Sequence, residues 1–336
     1  IRRAQERGAD LAPLSGFRLS VLGNSTTNLF ATALPAAGAR HGVNISVHEA
    51  EYDQVMQEAL NPASSINSSR PDAILLALDS HGLPFDQDPF EYLLSIKDGF
   101  RRGCDAPLIF QTVVCPPLPL FGSLDASIET TPRSRIIAFN EKLREFARDS
   151  GDYVLDVAAL AEMIGTQNWL DPAQWNLYKL PFSQNLVPVY VEHIARLVAA
   201  IRGRARKCLV LDLDNTLWGG VIGDDGLNGI KIGQGDAVGE AHLELQAAAK
   251  ALQQRGVILA ISSKNDDLVA RKAFEEHPDM VLRKEDVSVF QANWNDKASN
   301  LEAIAKELNI SLDALVFVDD NPAERSQVRM ALPLSL

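Results

Sequence analysis

Val210-Leu211-Asp212-Leu213-Asp214-Asn215-Thr216-Leu217 is an apolar run that stops in two carboxylates spaced i, i+2, with a threonine close behind. Residues two apart on an extended strand share a face, so both carboxylates project from the strand's C-terminal end toward one point. Two acids held that close repel unless a cation neutralises them or one keeps a proton. The pattern suits a hard, oxygen-seeking cation such as Mg²⁺ and leaves Asp212 free to act as a nucleophile. Taken alone, the same residues also describe a solvated strand end that leads into a turn.

The downstream chain separates these readings. Residues 256–263 form a second buried-type strand ending in Ser262 and Ser263, followed by Lys264 and Asn265. Lys297 opens a helical pattern over 299–308, and residues 314–318 form a third apolar strand that ends in Asp319-Asp320-Asn321-Pro322. Strands alternating with helical patterns predict a parallel sheet, whose ligands collect at the carboxyl ends of its strands. Two carboxylate pairs, a hydroxyl and a lysine therefore arrive at one edge.

In their order these parts resemble the four motifs of the haloacid dehalogenase (HAD) superfamily of phosphohydrolases and phosphotransferases. The resemblance implies that Asp212 attacks phosphorus and that Asp214 is general acid, then base. It implies that Ser263 (with Ser262 as rival) and Lys297 hold phosphoryl oxygens. Asp319 and Asp320 would complete a Mg²⁺ shell with Asp212 and the Asp214 carbonyl. The stretches Lys207 to Gly226, Ser263 to Asp266, Asn293 to Lys297 and Phe317 to Arg325 resemble the FkbH-like branch of that superfamily. That branch implies an N-terminal domain related to SGNH hydrolases. It also implies an activity: glyceryl is taken from 1,3-bisphosphoglycerate, its phosphate is removed, and the glyceryl group is loaded onto a phosphopantetheinylated acyl carrier protein for polyketide biosynthesis. The alternatives are a HAD-type phosphatase acting on a small phosphorylated metabolite, and a non-catalytic domain that docks a carrier protein.

The N-terminal region reads as a second α/β domain, with strands expected at 17–23, 43–48, 72–78, 108–114 and 153–157. Helical segments are expected at 52–60 and 134–148, with a polar loop at 61–70. The fold class is thus α/β with two parallel-sheet domains: an SGNH- or flavodoxin-like domain over 1–203, and a HAD-like Rossmannoid domain without a large cap over 204–336. Gly23-Asn24-Ser25 resembles the first block of SGNH hydrolases, but no Gly-x-Asn block and no late Asp-x-x-His follow. Ser25 therefore reads as a turn or ligand-binding hydroxyl, and His193, in the middle of a helical pattern, as structural or exposed. About twenty Gly-rich residues separate Thr216 from the helical pattern near Val238, enough for a flap and too few for a cap domain.

Thioester chemistry needs a thiol. Cys208 lies four residues before Asp212, roughly 13 Å away along an extended strand, at the wrong end for the chemistry. Cys115 follows an apolar strand and precedes Pro116-Pro117, so it is the better placed if the enzyme itself carries the acyl group; the carrier's own thiol is the other choice.

Length bounds the remaining choices. At 336 residues, with 46% apolar and 23% charged residues, the chain has room for two cored domains. Its three cysteines have no disulfide-like spacing, which fits a reducing cytoplasm, and neither a signal peptide nor a membrane-span-length apolar run is visible. A start at Ile1 reads as an excised segment. The formal charge of −12 opposes a nucleic-acid role. The densest basic run, Arg202 to Lys207, reads as a solvated linker.

Overall fold

The computed structural model describes residues 11–332, which divide into two compact units between Arg204 and Ala205. The first unit holds β1 (Ser15–Gly23), β2 (Val43–Glu49), β3 (Ala73–Ala77), β4 (Leu108–Gln111) and β5 (Tyr153–Leu155). They form one parallel sheet in the order β2-β1-β3-β4-β5, the flavodoxin-like order. Alternation along the central strands explains why both faces are covered. Leu19 and Val21 of β1 and Leu75 of β3 pack into one apolar cluster, while Leu22, Ile74 and Leu76 pack into the other. Among the described residues no helix is long and apolar enough to cross a membrane.

Two local departures from the expected elements have clear causes. β4 stops at Gln111 rather than Val114 because the Asn140 amide takes over as Val113's partner: Val113 N–H donates to Asn140 Oδ1 and Asn140 Nδ2 donates to Val113 O, both at 2.8 Å. The polar stretch 61–70 contains a helical turn, Ser65–Ser68, capped by Ser64 Oγ accepting from Asn67 N–H.

Beneath β4 and β5, Asp152 is a buried charge hub. Its side chain is fully enclosed and pairs with Lys97 at 2.7 Å and Arg101 at 3.0 Å, while accepting from Leu108 N–H at 2.9 Å. Asp152→Ala would leave two cations and a buried N–H without their shared partner. It is expected to destabilise the protein by about 3–5 kcal/mol, read as a lower urea midpoint at unchanged slope; a loss under 1 kcal/mol would refute this reading of the hub.

The second unit holds β6 (Cys208–Leu211), β7 (Ile258–Ser263), β8 (Val287–Ala292) and β9 (Leu315–Val318), all parallel, in the order β8-β7-β6-β9. The sequence reading did not contain β8. It is an edge strand that places Ser288 and Gln291 among its apolar residues, and its pairing to β7 shifts register between Leu259 and Ala260. Leu211, Leu259 and Ile261 pack on one face of the sheet; Cys208, Val210 and Ala260 pack on the other. Between β6 and the helix Ala237–Gln254 the chain forms no separate cap. It makes the short helix Ile222–Asp225 and a bridge between Gly219 and Lys231.

Candidate active site

The carboxyl ends of β6, β7 and β9 frame a cavity of about 390 Å³. Asp212 and Asp214 follow β6, Ser263 closes β7, and Asp319 and Asp320 follow β9; Lys297 opens the helix Lys297–Glu307 beyond β8. All six line the cavity. Ser263 lines it and Ser262 does not; the Ser262 hydroxyl is buried without a hydrogen bond, and its carbonyl instead accepts from Lys297 Nζ at 2.7 Å.

Lys297 is 1% exposed and is the charge at the centre of the site. Its Nζ donates to Asp212 Oδ1 at 2.5 Å and lies 3.2 Å from Asp319 Oδ2 and 3.5 Å from Glu324 Oε2. Glu324 also pairs with Lys264 at 2.8 Å. Five carboxylates (Asp212, Asp214, Asp319, Asp320, Glu324) thus share the cavity lining with two lysines, Lys264 and Lys297, an excess of three negative charges.

That excess shows in the titration of the groups. Burial pushes the Asp212 carboxyl up to about 6, with Asp319 adding to the push and Lys297 only partly opposing it. Burial likewise raises Asp319 despite Lys297 and the Asn321 N–H. For Lys297, burial favours the neutral amine, but Asp212 and Asp319 outweigh it and hold the ammonium above the usual lysine range. Glu324 lies below the ordinary range because Lys264 and Lys297 overcome the opposing effect of its burial.

Asp214 has different neighbours. Its Oδ1 accepts from the Trp218 indole N–H at 2.9 Å and from Ile222 N–H at 3.0 Å, and its Oδ2 accepts from Asn265 Nδ2 at 2.8 Å. Asn265 Nδ2 also donates to Ser263 Oγ at 3.1 Å, so one amide ties the β6 acid to the β7 hydroxyl. Asn215 sits at φ 54, a left-handed conformation that asparagine tolerates, and its Oδ1 accepts from Gly220 N–H at 2.9 Å. This turn drives the Trp218 ring inward, where it is fully buried against Phe274. Thr216 Oγ1 accepts from Asp320 N–H at 3.2 Å, joining the β6 and β9 loops.

The residues fit a divalent cation. One oxygen each from Asp212, Asp319 and Asp320 lies within 4.8 Å of the others. Six oxygens around Mg²⁺ span at most about 4.2 Å, so modest closure satisfies them. Asp319 Oδ2 is buried and makes no hydrogen bond, only its ion pair to Lys297. The Asp214 carboxylate is outside this trio, being engaged by Trp218, Ile222 and Asn265.

Neither Cys115 nor Cys208 lines this cavity. Cys208 begins β6, is 1% exposed, and burial pushes its thiol up to about 11. Cys115 belongs to the first unit; half-buried, it packs against an apolar cluster, and burial, with Glu162 adding, raises its thiol despite Arg133. Ser25 is buried with no hydrogen-bond partner for its hydroxyl, and His193 is anchored to its own helix at Val189 O. Trp218, Asn265 and Glu324 were absent from the expected site residues. Their positions just after the carboxylates or the hydroxyl were the available signal.

Residues 18–90 match the family described as FkbH, N-terminal domain. Among solved structures, the N-terminal part of the protein BF1531 from Bacteroides fragilis, containing a phosphatase domain and complexed with Mg, is 31% identical to this chain. The match covers 99% of this chain and 91% of that one, with a TM-score of 0.91. The psychrotrophic esterase EstA from Pseudoalteromonas sp. is 12% identical over 55% of this chain and 98% of its own, with a TM-score of 0.40, too low to support any inference. No curated protein matches the chain.

Proposed function

Because this chain belongs to the same family as the phosphatase-containing N-terminal part of BF1531 and carries an FkbH N-terminal domain, we propose that it is a Mg²⁺-dependent glyceryl transferase/phosphatase. In this reading it takes D-glyceryl from 1,3-bisphosphoglycerate, removes the remaining phosphate and loads glyceryl as a thioester onto an acyl carrier protein. The observation that carries the phosphatase half is the gathering of Asp212, Asp214, Ser263, Lys297, Asp319 and Asp320 around one cavity.

The residues divide the work as follows. Asp212 attacks phosphorus through a carboxylate oxygen while the ester P–O bond breaks. Asp214 gives the leaving oxygen its proton. The aspartyl phosphate so formed is hydrolysed when Asp214 takes a proton from water and the water oxygen displaces Asp212 from phosphorus. Asp214 Oδ1 already takes two donors, so Oδ2 is the oxygen that carries the transferred proton. Ser263 and Lys297 hold the phosphoryl oxygens and offset the charge that develops there. Asp212, Asp319, Asp320 and the Asp214 carbonyl would hold Mg²⁺, which when bound would neutralise the carboxylate excess and supply Lewis-acid polarisation of the phosphoryl group. The final acceptor thiol in this reading is the carrier's own; Cys208 begins β6, at the far end of that strand from Asp212, and burial raises both enzyme thiols. Cys115 remains the enzyme residue to test.

The decisive experiment incubates the protein with Mg²⁺, 1,3-bisphosphoglycerate and a holo-carrier protein and reads the intact masses of both. A carrier gain matching glyceryl without phosphate supports the reading. A glyceryl adduct on the enzyme that Cys115→Ala removes would add an enzyme-bound step. Phosphate release with no mass gain on either protein leaves a simple phosphatase. Asn265 supplies a further check. Its loss frees both Ser263 and Asp214, so Asn265→Ala is expected to lower kcat about 10–100-fold with KM nearly unchanged; a rise in KM at constant kcat would contradict a positioning role.

A further inference from the structure

A second cavity, of about 420 Å³, opens at the carboxyl ends of β3, β4 and β5, wholly within the first unit. Its volume lies in the ~300–1,000 Å³ range of small-molecule sites. The wall is apolar and aromatic, with Val114, Pro117, Trp169, Trp175 and Phe182 contributing most of its character. The few polar groups are held in place. Tyr190 O–H donates to Gln111 Oε1 and Gln111 Nε2 donates to Leu78 O, both at 2.8 Å, which leaves one Gln111 amide hydrogen for a ligand. The His81 ring stacks on Trp175 with centroids 3.8 Å apart, and its Nδ1 lies 3.2 Å from Asp79 Oδ1. With Nδ1 donating to that carboxylate, the neutral tautomer turns Nε2 out as an acceptor. Asn24 Nδ2 fixes Asp79 in turn at 2.6 Å.

Charge and surroundings narrow the occupant. The lining contains two carboxylates, Asp79 and Asp171, and neither lysine nor arginine, so a phosphate or carboxylate entering it would be desolvated without a counter-charge. An uncharged ligand with methylene stretches and an amide suits the wall: methylenes against Trp175 and Pro117, an amide N–H to His81 Nε2, an amide carbonyl to Gln111. The segments that line the cavity also continue into exposed apolar side chains. Leu118, Leu120, Phe121 and Leu124 are 55–74% exposed just after Pro117, and Leu177 and Tyr178 are 72% and 64% exposed just after Asn176. Exposed large apolar side chains gathered in the two segments that leave the cavity wall favour a protein contact there.

We infer that this cavity receives the pantetheine-type arm of a carrier protein, with the neighbouring apolar side chains contacting the carrier itself. The inference rests on the transferase reading for the identity of the arm and on the cavity's own chemistry for its neutrality.

Calorimetric titration of the full chain with D-pantetheine tests it. Saturable binding is expected, at least ten-fold tighter than for D-pantothenate, whose carboxylate meets Asp79 and Asp171. Trp175→Ala, which removes a stacking wall, and Val114→Trp, which fills the space, are each expected to weaken pantetheine at least ten-fold. A carrier protein is expected to bind at least ten-fold tighter in its holo than its apo form. Equal affinity for pantetheine and pantothenate, undiminished binding in both variants, or equal holo and apo binding would overturn the inference. Mg²⁺-dependent phosphate release by the wild-type protein is measured in parallel. An active phosphatase that ignores pantetheine loses the cavity inference alone, whereas pantetheine binding by a protein that never loads a carrier loses the transferase reading alone.

Discussion

Asp212→Asn is expected to lower turnover by about 10⁴-fold or more and, in the same protein, to raise the stability of the metal-free fold at neutral pH. The loss follows from removing the oxygen that attacks phosphorus. The gain follows from charge: one buried ammonium serves Asp212, Asp319 and Glu324 together, so deleting one negative charge relieves repulsion. The sign is fixed by linkage. The Asp212 carboxyl is pushed from 3.8 up to about 6 on folding, so between those values the folded state binds more protons than the unfolded state. The contribution of Asp212 to stability is therefore fully present below the lower value and is lost as pH rises through about 6. A shift of this size corresponds to about 1–3 kcal/mol. Thermal melts in chelator at pH 7.5 are expected to place the variant above wild type, and melts at pH 4 to bring the two together. A variant less stable than wild type at pH 7.5 would contradict the charge argument. Saturating Mg²⁺ at 100 times its Kd adds about 2.7 kcal/mol to wild type and is expected to add less to the variant.

Lys297→Ala is expected to act in the opposite direction on stability. The ammonium is 1% exposed, bonds Asp212 and the Ser262 carbonyl, and stands against three carboxylates. Its removal strands those charges in a buried site, at a cost of about 3–5 kcal/mol in chelator. Lys297→Met keeps most of the volume and isolates the charge, so it is expected to be nearly as destabilised. Mg²⁺ is expected to restore part of the loss in both variants because it supplies positive charge to the same oxygens. Activity falls by about 10²–10³-fold even where stability recovers, because a phosphoryl-oxygen donor is gone. Urea melts with and without Mg²⁺, paired with aryl phosphate turnover, separate the effects. Equal stability of wild type and Lys297→Met in chelator would remove Lys297 from the centre of the site.

Much of this arrangement was legible in the chain. Parallel sheets whose central strands are buried on both faces leave long apolar runs, which is why β1, β3, β6 and β7 stand out. The acids just past β6 and β9 mark those strands' carboxyl ends. β8 was hidden because an edge strand tolerates Ser288 and Gln291 and so lacks an apolar run. The end of β4 was misplaced because Asn140, on a helix distant in sequence, captures Val113. The role of Trp218 was not legible, because its hydrogen bond to Asp214 depends on the left-handed turn at Asn215, which only the backbone reveals. Asn265 and Glu324 were visible as residues but not as participants, since Asp214, the partner of Asn265, and Lys264 and Lys297, the partners of Glu324, come from distant parts of the chain.

The order in which the site's pieces leave the ribosome follows from the pairing of β6 with both β7 and β9. Asp212 is made about a hundred residues before Asp319, and through that interval β6 has β7 on one side and an open edge on the other. Lys297 emerges in between, so the first charge pair to form is the balanced one, ammonium with Asp212. The surplus carboxylates Asp319, Asp320 and Glu324 come last, carried on or just after the strand that closes the sheet. A growing chain is thus spared crowded negative charge until the scaffold that restrains it is nearly whole, while the apolar edge of β6 stays open to wrong partners until β9 arrives.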